Sequence, residues 1–186
     1  LENFIGQWYL PDISICDRII NYFDSDPDVH IGGYRQGDDL IINKSIKDCY
    51  QTVLDKNIEL HKEYTNDLQV CCDQYIKKFP YCNYYSPFTI VKAVNIQKYE
   101  PGQSFGSYHA ERTSSSPHDA TRHLVFMTYL NDVLDGGETE FYHQNLFVKP
   151  KKGLTLIWPA DWTYTHRGIT SATQTKYIAT GWYDYV

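Results

Sequence analysis

From Pro87 onward the chain is a succession of short β-branched and aromatic runs separated by turn residues, and no other feature restricts its fold so tightly. The runs are Phe88 to Tyr99, Phe105 to Glu111, His123 to Leu130, Thr139 to Phe141, Leu146 to Val148, Leu154 to Trp158, Tyr164 to Ile169 and Lys176 to Tyr185. Asp135-Gly136-Gly137 and Pro150-Lys151-Lys152-Gly153 supply turns between them. Strands this short and this closely spaced form a double-sheet jelly roll or a barrel. The 17 tyrosines, 8 phenylalanines and 4 tryptophans point the same way, because aromatic side chains suit a pleated, half-buried surface.

The first half reads differently. Ile13, Ile15, Ile19, Ile20 and Phe23 predict a short amphipathic helix over Asp12 to Phe23, with Asp12 as its N-cap. Leu60, Tyr64, Leu68, Cys71 or Cys72, and Tyr75 recur at helical spacing across Asn57 to Lys78, before Pro80 ends the pattern. Between them, His30 to Lys47 suggests a strand and loop around the apolar run Leu40 to Ile42. No repeat, low-complexity tract or linker divides the 186 residues, which suit one domain in which helices buttress a β half.

A formal charge of −6 gives no long-range attraction to phosphate backbones, and the basic residues are scattered or, at Lys149, Lys151 and Lys152, confined to a turn. Nucleic acid is therefore not an expected partner. Cys16, Cys49, Cys71, Cys72 and Cys82 are odd in number and form no CxxC pair, so they read as reduced thiols of a soluble cytoplasmic protein and not as a zinc site. No apolar run reaches the length of a membrane span and no basic-then-apolar leader is present. The sequence starts at Leu1, which leaves a removed leader or tag open.

The candidate chemistry centres on His109 and Glu111. Two positions apart in a strand-like segment, their side chains leave the same face and can share one ion. An HxE pair alone also fits a solvated pair on a strand edge, so the surroundings decide. His166, in Thr163-Tyr164-Thr165-His166-Arg167-Gly168, supplies a third donor from a remote strand. Two imidazoles and one carboxylate on one face of an octahedron leave the opposite face open, the geometry of non-haem iron(II) oxygenases. Those open positions suit a chelating 2-oxo acid and dioxygen.

Competing clusters carry less. His118, Asp119 and His123 lie in or after Thr113-Ser114-Ser115-Ser116-Pro117, which reads as a flexible loop suited to closing over a substrate. Ser114 to Ser116 lack the glycine-flanked elbow of a hydrolase nucleophile, and no phosphate-cradling glycine loop is present. Arg112, Arg122, Tyr108, Tyr164, Trp158 and Trp162 lie close in sequence to the presumed ligands, where they either contact a substrate or fill the mouth of the fold.

Around the triad stand Tyr99-Glu100-Pro101-Gly102, Arg122 through Tyr129 to Asp132, Gly136-Gly137-Glu138-Thr139-Glu140-Phe141, Val148-Lys149-Pro150-Lys151-Lys152-Gly153, Lys176 and Trp182. Together these resemble the prolyl 4-hydroxylase branch of the iron(II) and 2-oxoglutarate-dependent dioxygenases, over roughly Tyr99 to Trp182. The resemblance implies an α+β, mainly β fold, a double-stranded β-helix (jelly roll) with N-terminal buttressing helices. Residues 1–186 would then form one domain, with 1–88 a helical support region and 89–186 the jelly-roll core. It further implies that His109, Glu111 and His166 hold Fe(2+), that Lys176 pairs with the distal carboxylate of 2-oxoglutarate, and that Tyr129 and Tyr99 help bind that co-substrate. Arg122, Trp182, Arg112 and Tyr108 are the candidates for substrate or supporting contacts. Without the resemblance, Lys176 reads as a lysine facing solvent from an edge strand. With it, a dicarboxylate pushed into an apolar fold needs a buried cation and hydroxyl donors.

The family usually has Asp where this chain has Glu111, and one residue fewer between its tyrosine and its metal histidine than separates Tyr99 from His109. The expectation is that the inserted residue shifts the strand to fit the longer carboxylate. The function so implied is hydroxylation of a prolyl residue in a protein or peptide, consuming O2 and 2-oxoglutarate with ascorbate as possible reductant. The same chemistry on a free amino acid or other small metabolite is the alternative, and a non-catalytic jelly-roll binding module is the rival from another class. A carboxylate at position 111 argues against halogenation, because a halide would need that coordination site. Oligomeric state is left open.

Overall fold

The computed structural model describes residues 2–36 and 39–186. In chain order the elements are β1 (Gly6–Tyr9), α1 (Ile15–Ser25), β2 (His30–Ile31), β3 (Tyr34–Gln36), β4 (Asp39–Ile41), β5 (Tyr50–Val53), α2 (Ile58–Lys78), β6 (Phe88–Thr89), β7 (Asn95–Tyr99), β8 (Arg122–Tyr129), β9 (Thr139–Phe141), β10 (Leu146–Val148), β11 (Leu154–Pro159), β12 (His166–Gly168) and β13 (Lys176–Tyr185). The large sheet runs β1-β11-β8-β13-β7-β5-β2, with β6 also paired to β13. A smaller sheet runs β10-β9-β12, and β3 and β4 form a separate pair. All these pairings are antiparallel.

Helix α2 forms where the sequence places it. Asn57 caps it by accepting from the Leu60 N–H at 3.2 Å, Glu59 lies in its first turn and Lys77 and Lys78 in its last, each matching the helix dipole. Its face Leu60, Tyr64, Leu68, Cys71, Cys72 and Tyr75 packs with Ile15, Ile19 and Phe23 of α1 onto one face of the large sheet. Helix α1 starts later than expected, at Ile15. Asp12 stands before it and accepts from the Ser14 N–H at 2.9 Å instead of acting as the N-cap, which is Ser14.

Strand β8 shows why the sheet sits between two layers. Leu124 and Phe126 join the helix-side core, while Val125, Met127 and Tyr129 join a second core on the opposite face with Leu156, Trp158, Ile178, Phe141 and Val148. Both faces are buried, so the strand reads as a continuous apolar run and not as an alternation. Full burial of a side chain such as Phe126 is worth about 1.5–3 kcal/mol.

Two expectations need correction. Residues 1–88 are not only a helical support: β1 pairs with β11 and β5 pairs with β7, so this half contributes strands to the large sheet. The run Phe105 to Glu111 is not a regular strand. It is tied down at isolated bridges, Lys47 to Phe105 and His109 to His166, and by single backbone bonds from Gly168 to Phe105 and from Glu111 to Ala160, and Tyr164 likewise lies in a single 3₁₀ turn before β12. Among the described residues no helix is long and apolar enough to cross a membrane. The five cysteines are unpaired, and all but Cys82 are buried.

Candidate metal and co-substrate site

The two histidines meet through a reciprocal backbone pair. His109 N–H donates to the His166 carbonyl at 3.0 Å and His166 N–H donates back at 2.9 Å, the close pairing of directly opposed antiparallel residues. Glu111 is then fixed by its own N–H, which donates to the Ala160 carbonyl at 3.1 Å. As a result the ligand atoms of His109, Glu111 and His166 all lie within 4.8 Å of one another. Glu111 Oε1 is 3.7 Å from His109 Nε2 and 3.5 Å from His166 Nε2.

This donor set fits a divalent ion. His109 Nδ1 lies 2.9 Å from the Ser107 carbonyl and His166 Nδ1 lies 2.9 Å from the Tyr164 carbonyl, so each Nδ1 carries the proton and each Nε2 lone pair faces the common centre. Burial and the neighbouring His166 push the His109 pKa down to about 3, against the pull of Glu111, which keeps the ring neutral. Burial raises the Glu111 pKa, but the adjacent His166 and His109 and the Arg122 guanidinium outweigh it, leaving the carboxyl well below the ordinary range. The longer side chain is used at both oxygens, since Trp182 Nε1 donates to Glu111 Oε2 at 3.0 Å while Oε1 faces the histidines.

Neighbouring rings hold the ligands still. Phe105 stacks on the His109 ring at 3.7 Å, and Trp158 and Phe141 flank His166 at 5.1 and 5.7 Å. Arg122 lies 3.8 Å over the Trp182 ring, donates to the Glu111 carbonyl at 2.6 Å and pairs with buried Asp119 at 3.1 Å.

The triad opens on a cavity of about 760 Å³ lined by both sheets. Lys176, 5% exposed, stands on its wall, 4.9 Å from the Tyr99 ring, and donates to the Gly137 carbonyl at 3.1 Å. That carbonyl is set by the Asp135-Gly136-Gly137 turn, where Gly136 has φ +114 and an added Cβ would meet the Thr170 carbonyl at 2.4 Å. Burial lowers the Lys176 pKa to about 8, opposed by Glu138. Tyr99 lines the cavity too, and its hydroxyl donates to Gln97 Oε1 at 2.6 Å.

Other sequence candidates land elsewhere. Tyr129 is not on the wall; its hydroxyl donates to Thr139 Oγ1 at 2.6 Å, and it is Thr139 that lines the cavity. Arg112 turns away to Asp161 at 2.8 Å. Tyr108 lies at the cavity mouth, donating to Glu140 at 2.8 Å beneath the Arg167 guanidinium. His123 is occupied structurally, with Nε2 at 2.7 Å from the Cys82 carbonyl, whereas His118 and Asp119 line the cavity. Reading the sequence missed Lys47, Phe105, Thr139 and the Asp119–Arg122 pair. Only Phe105, an aromatic residue four positions before His109, carried a usable signal.

Residues 94–184 match the 2OG-Fe(II) oxygenase superfamily. A probable prolyl 4-hydroxylase 9 of Arabidopsis thaliana is 30% identical over 115 residues, which are 49% of this chain and 40% of that protein. The chain thus spans well under half the length of this curated relative. A viral collagen prolyl hydroxylase of Paramecium Bursaria Chlorella virus-1, solved with 2OG, superposes with TM-score 0.68 at 17% identity, covering 99% of this chain and 97% of that one. A Trichoplax adhaerens prolyl hydroxylase, solved with a hypoxia inducible factor peptide, gives TM-score 0.72 at 18% identity, covering 98% and 84%. At such identities the structural likeness speaks for the fold, while the match to the 2OG-Fe(II) oxygenase superfamily spans residues 94–184 and includes the triad itself.

Proposed function

We propose that the chain is an iron(II)- and 2-oxoglutarate-dependent dioxygenase that hydroxylates a prolyl residue in a protein or peptide. The observation that carries this reading is one cavity holding two free imidazole Nε2 atoms and a carboxylate oxygen on one wall and a buried ammonium, Lys176, on another. His109, Glu111 and His166 would hold Fe(2+), which with 2-oxoglutarate and O2 supplies oxidative decarboxylation to succinate and CO2 coupled to hydroxylation of the substrate. Lys176 binds the far carboxylate of 2-oxoglutarate as a charge-assisted partner, and Thr139, polarised by Tyr129, adds a hydroxyl.

The chain's other residues orient and exclude water. Trp182 and Arg122 fix the Glu111 carboxylate, and the rings of Phe105, Trp158 and Phe141 shut solvent from the two imidazoles. In this reading the two facing sheets are a double-stranded β-helix and residues 1–186 work as one domain, with α1 and α2 as the outer support. The prolyl substrate rests on the relatives' own names. Ascorbate would serve as reductant in the assay. Succinate formation by the purified chain with Fe(II), ascorbate and 2-oxoglutarate tests the chemistry, and a 16 Da mass gain on a proline-containing peptide tests the substrate. No succinate with any proline-containing peptide would defeat the proposal.

A further inference from the structure

Lys176 is not the sole ammonium in the cavity. Lys47, between β4 and β5, is 5% exposed and lies on the same wall system. Its Nζ donates to the Gly33 carbonyl at 2.9 Å and to Gln51 Oε1 at 3.2 Å, and stands 5.5 Å from the Phe105 ring that stacks on His109. Both acceptors are neutral, and among the described residues neither Lys47 nor Lys176 forms an ion pair with a carboxylate. Burying an ammonium without a counter-charge costs more than two neutral acceptors return, and a methionine would fill the same length without that cost. A ligand anion in the cavity resolves the imbalance.

Resting on the proposed function, 2-oxoglutarate is already accounted for at both ends, one at the triad and one at Lys176. We propose that Lys47 is a carboxylate subsite for the substrate, so that the enzyme prefers acceptors carrying a carboxylate beside the carbon that is oxidised. That carboxylate is either the free terminus of a peptide or amino acid or an acidic side chain next to the target residue. Gln51, on the cavity wall beside Lys47, is held by His30, whose Nε2 lies 3.3 Å from its amide nitrogen, and so keeps its oxygen on the Lys47 ammonium.

The test is calorimetric binding to the full chain, metal withheld and 2-oxoglutarate saturating, with three probes: N-acetyl-L-proline, N-acetyl-L-prolinamide, and N-acetyl-aspartyl-L-prolinamide. The wild type is expected to bind one of the two carboxylates about tenfold or more tightly than the plain amide, and which one identifies the source. Lys47→Met should erase the preference and Lys47→Arg should keep it. If Lys47→Met does not fold, as judged by thermal melting, Lys47→Gln takes its place. Equal binding of all three probes by the wild type overturns the proposal, as does a preference that survives Lys47→Met. Loss of 2-oxoglutarate affinity in that variant with the preference intact would assign Lys47 to the co-substrate and also overturn it. Because no turnover is read, failure of the succinate assay leaves this result interpretable on its own.

Discussion

The two faces of the large sheet obey different rules. On the helix side, Leu124, Phe126, Ile157 and Ala179 meet α1 and α2 in a core where the hydroxyls of Tyr64, Thr128 and Thr155 satisfy one another at 2.9 and 2.7 Å. On the cavity side, Lys176 of β13, Lys47 from the segment before β5 and His166 of the facing small sheet are buried without opposite charges of their own or with Nε2 lone pairs unused. One face is packed with apolar side chains and paired hydroxyls, and the other carries buried charges and lone pairs that call for ligands. On β13 the difference follows strand alternation, with Lys176, Ile178, Thr180 and Trp182 on the cavity and Tyr177 and Ala179 in the helix-side core, so neighbouring residues of one strand serve opposite ends.

The sharpest break of this contrast comes from His166→Ala, which removes a ligand from the cavity face. It should abolish succinate formation while the melting temperature holds or rises, measured by coupled assay and calorimetry. On the other face, Phe126→Ala should cost about 3–5 kcal/mol in urea denaturation, a large share of a total of about 5–15 kcal/mol, while the remaining folded protein binds 2-oxoglutarate normally. Lys176→Met should weaken 2-oxoglutarate binding on the order of 100-fold without loss of stability, since it removes a buried charge. Its pH dependence follows from sign: burial sets the Lys176 pKa to about 8, so the ammonium that attracts the diacid is present below that pH and is lost above it. Affinity should therefore fall as pH rises from 7 to 10, by up to about tenfold per unit, and Lys176→Met should be flat over this range. The smallest effect is expected of Trp182→Phe, which keeps the ring under Arg122 but removes the donor to Glu111. Metal affinity should drop about tenfold with little change in melting temperature; an unchanged affinity would show that Glu111 needs no orienting partner.

Much of this was legible because the signals are local. Strands β9, β10 and β13 coincide with their β-branched and aromatic runs, and α2 follows from its apolar spacing and the stop at Pro80. The His109–Glu111 pair was legible too, although not for the reason first given. Phe105 to Glu111 is irregular, and the pair converges through backbone bonds to His166 and Ala160. What sequence hid was non-local. Gly6–Tyr9 becomes a strand only because β11 offers it an edge, and Tyr50–Val53 only because β7 does. Lys47 looks like any lysine beside a short strand until Gly33 and Gln51 close around it.

The central claim is tested most directly by a crystal structure of the chain grown with Mn(II), as a redox-inert stand-in for iron, and 2-oxoglutarate. The account predicts anomalous density bonded to His109 Nε2, His166 Nε2 and a Glu111 oxygen, with the far carboxylate of the diacid on Lys176. A metal held elsewhere, or a diacid that leaves Lys176 without a partner, would contradict it.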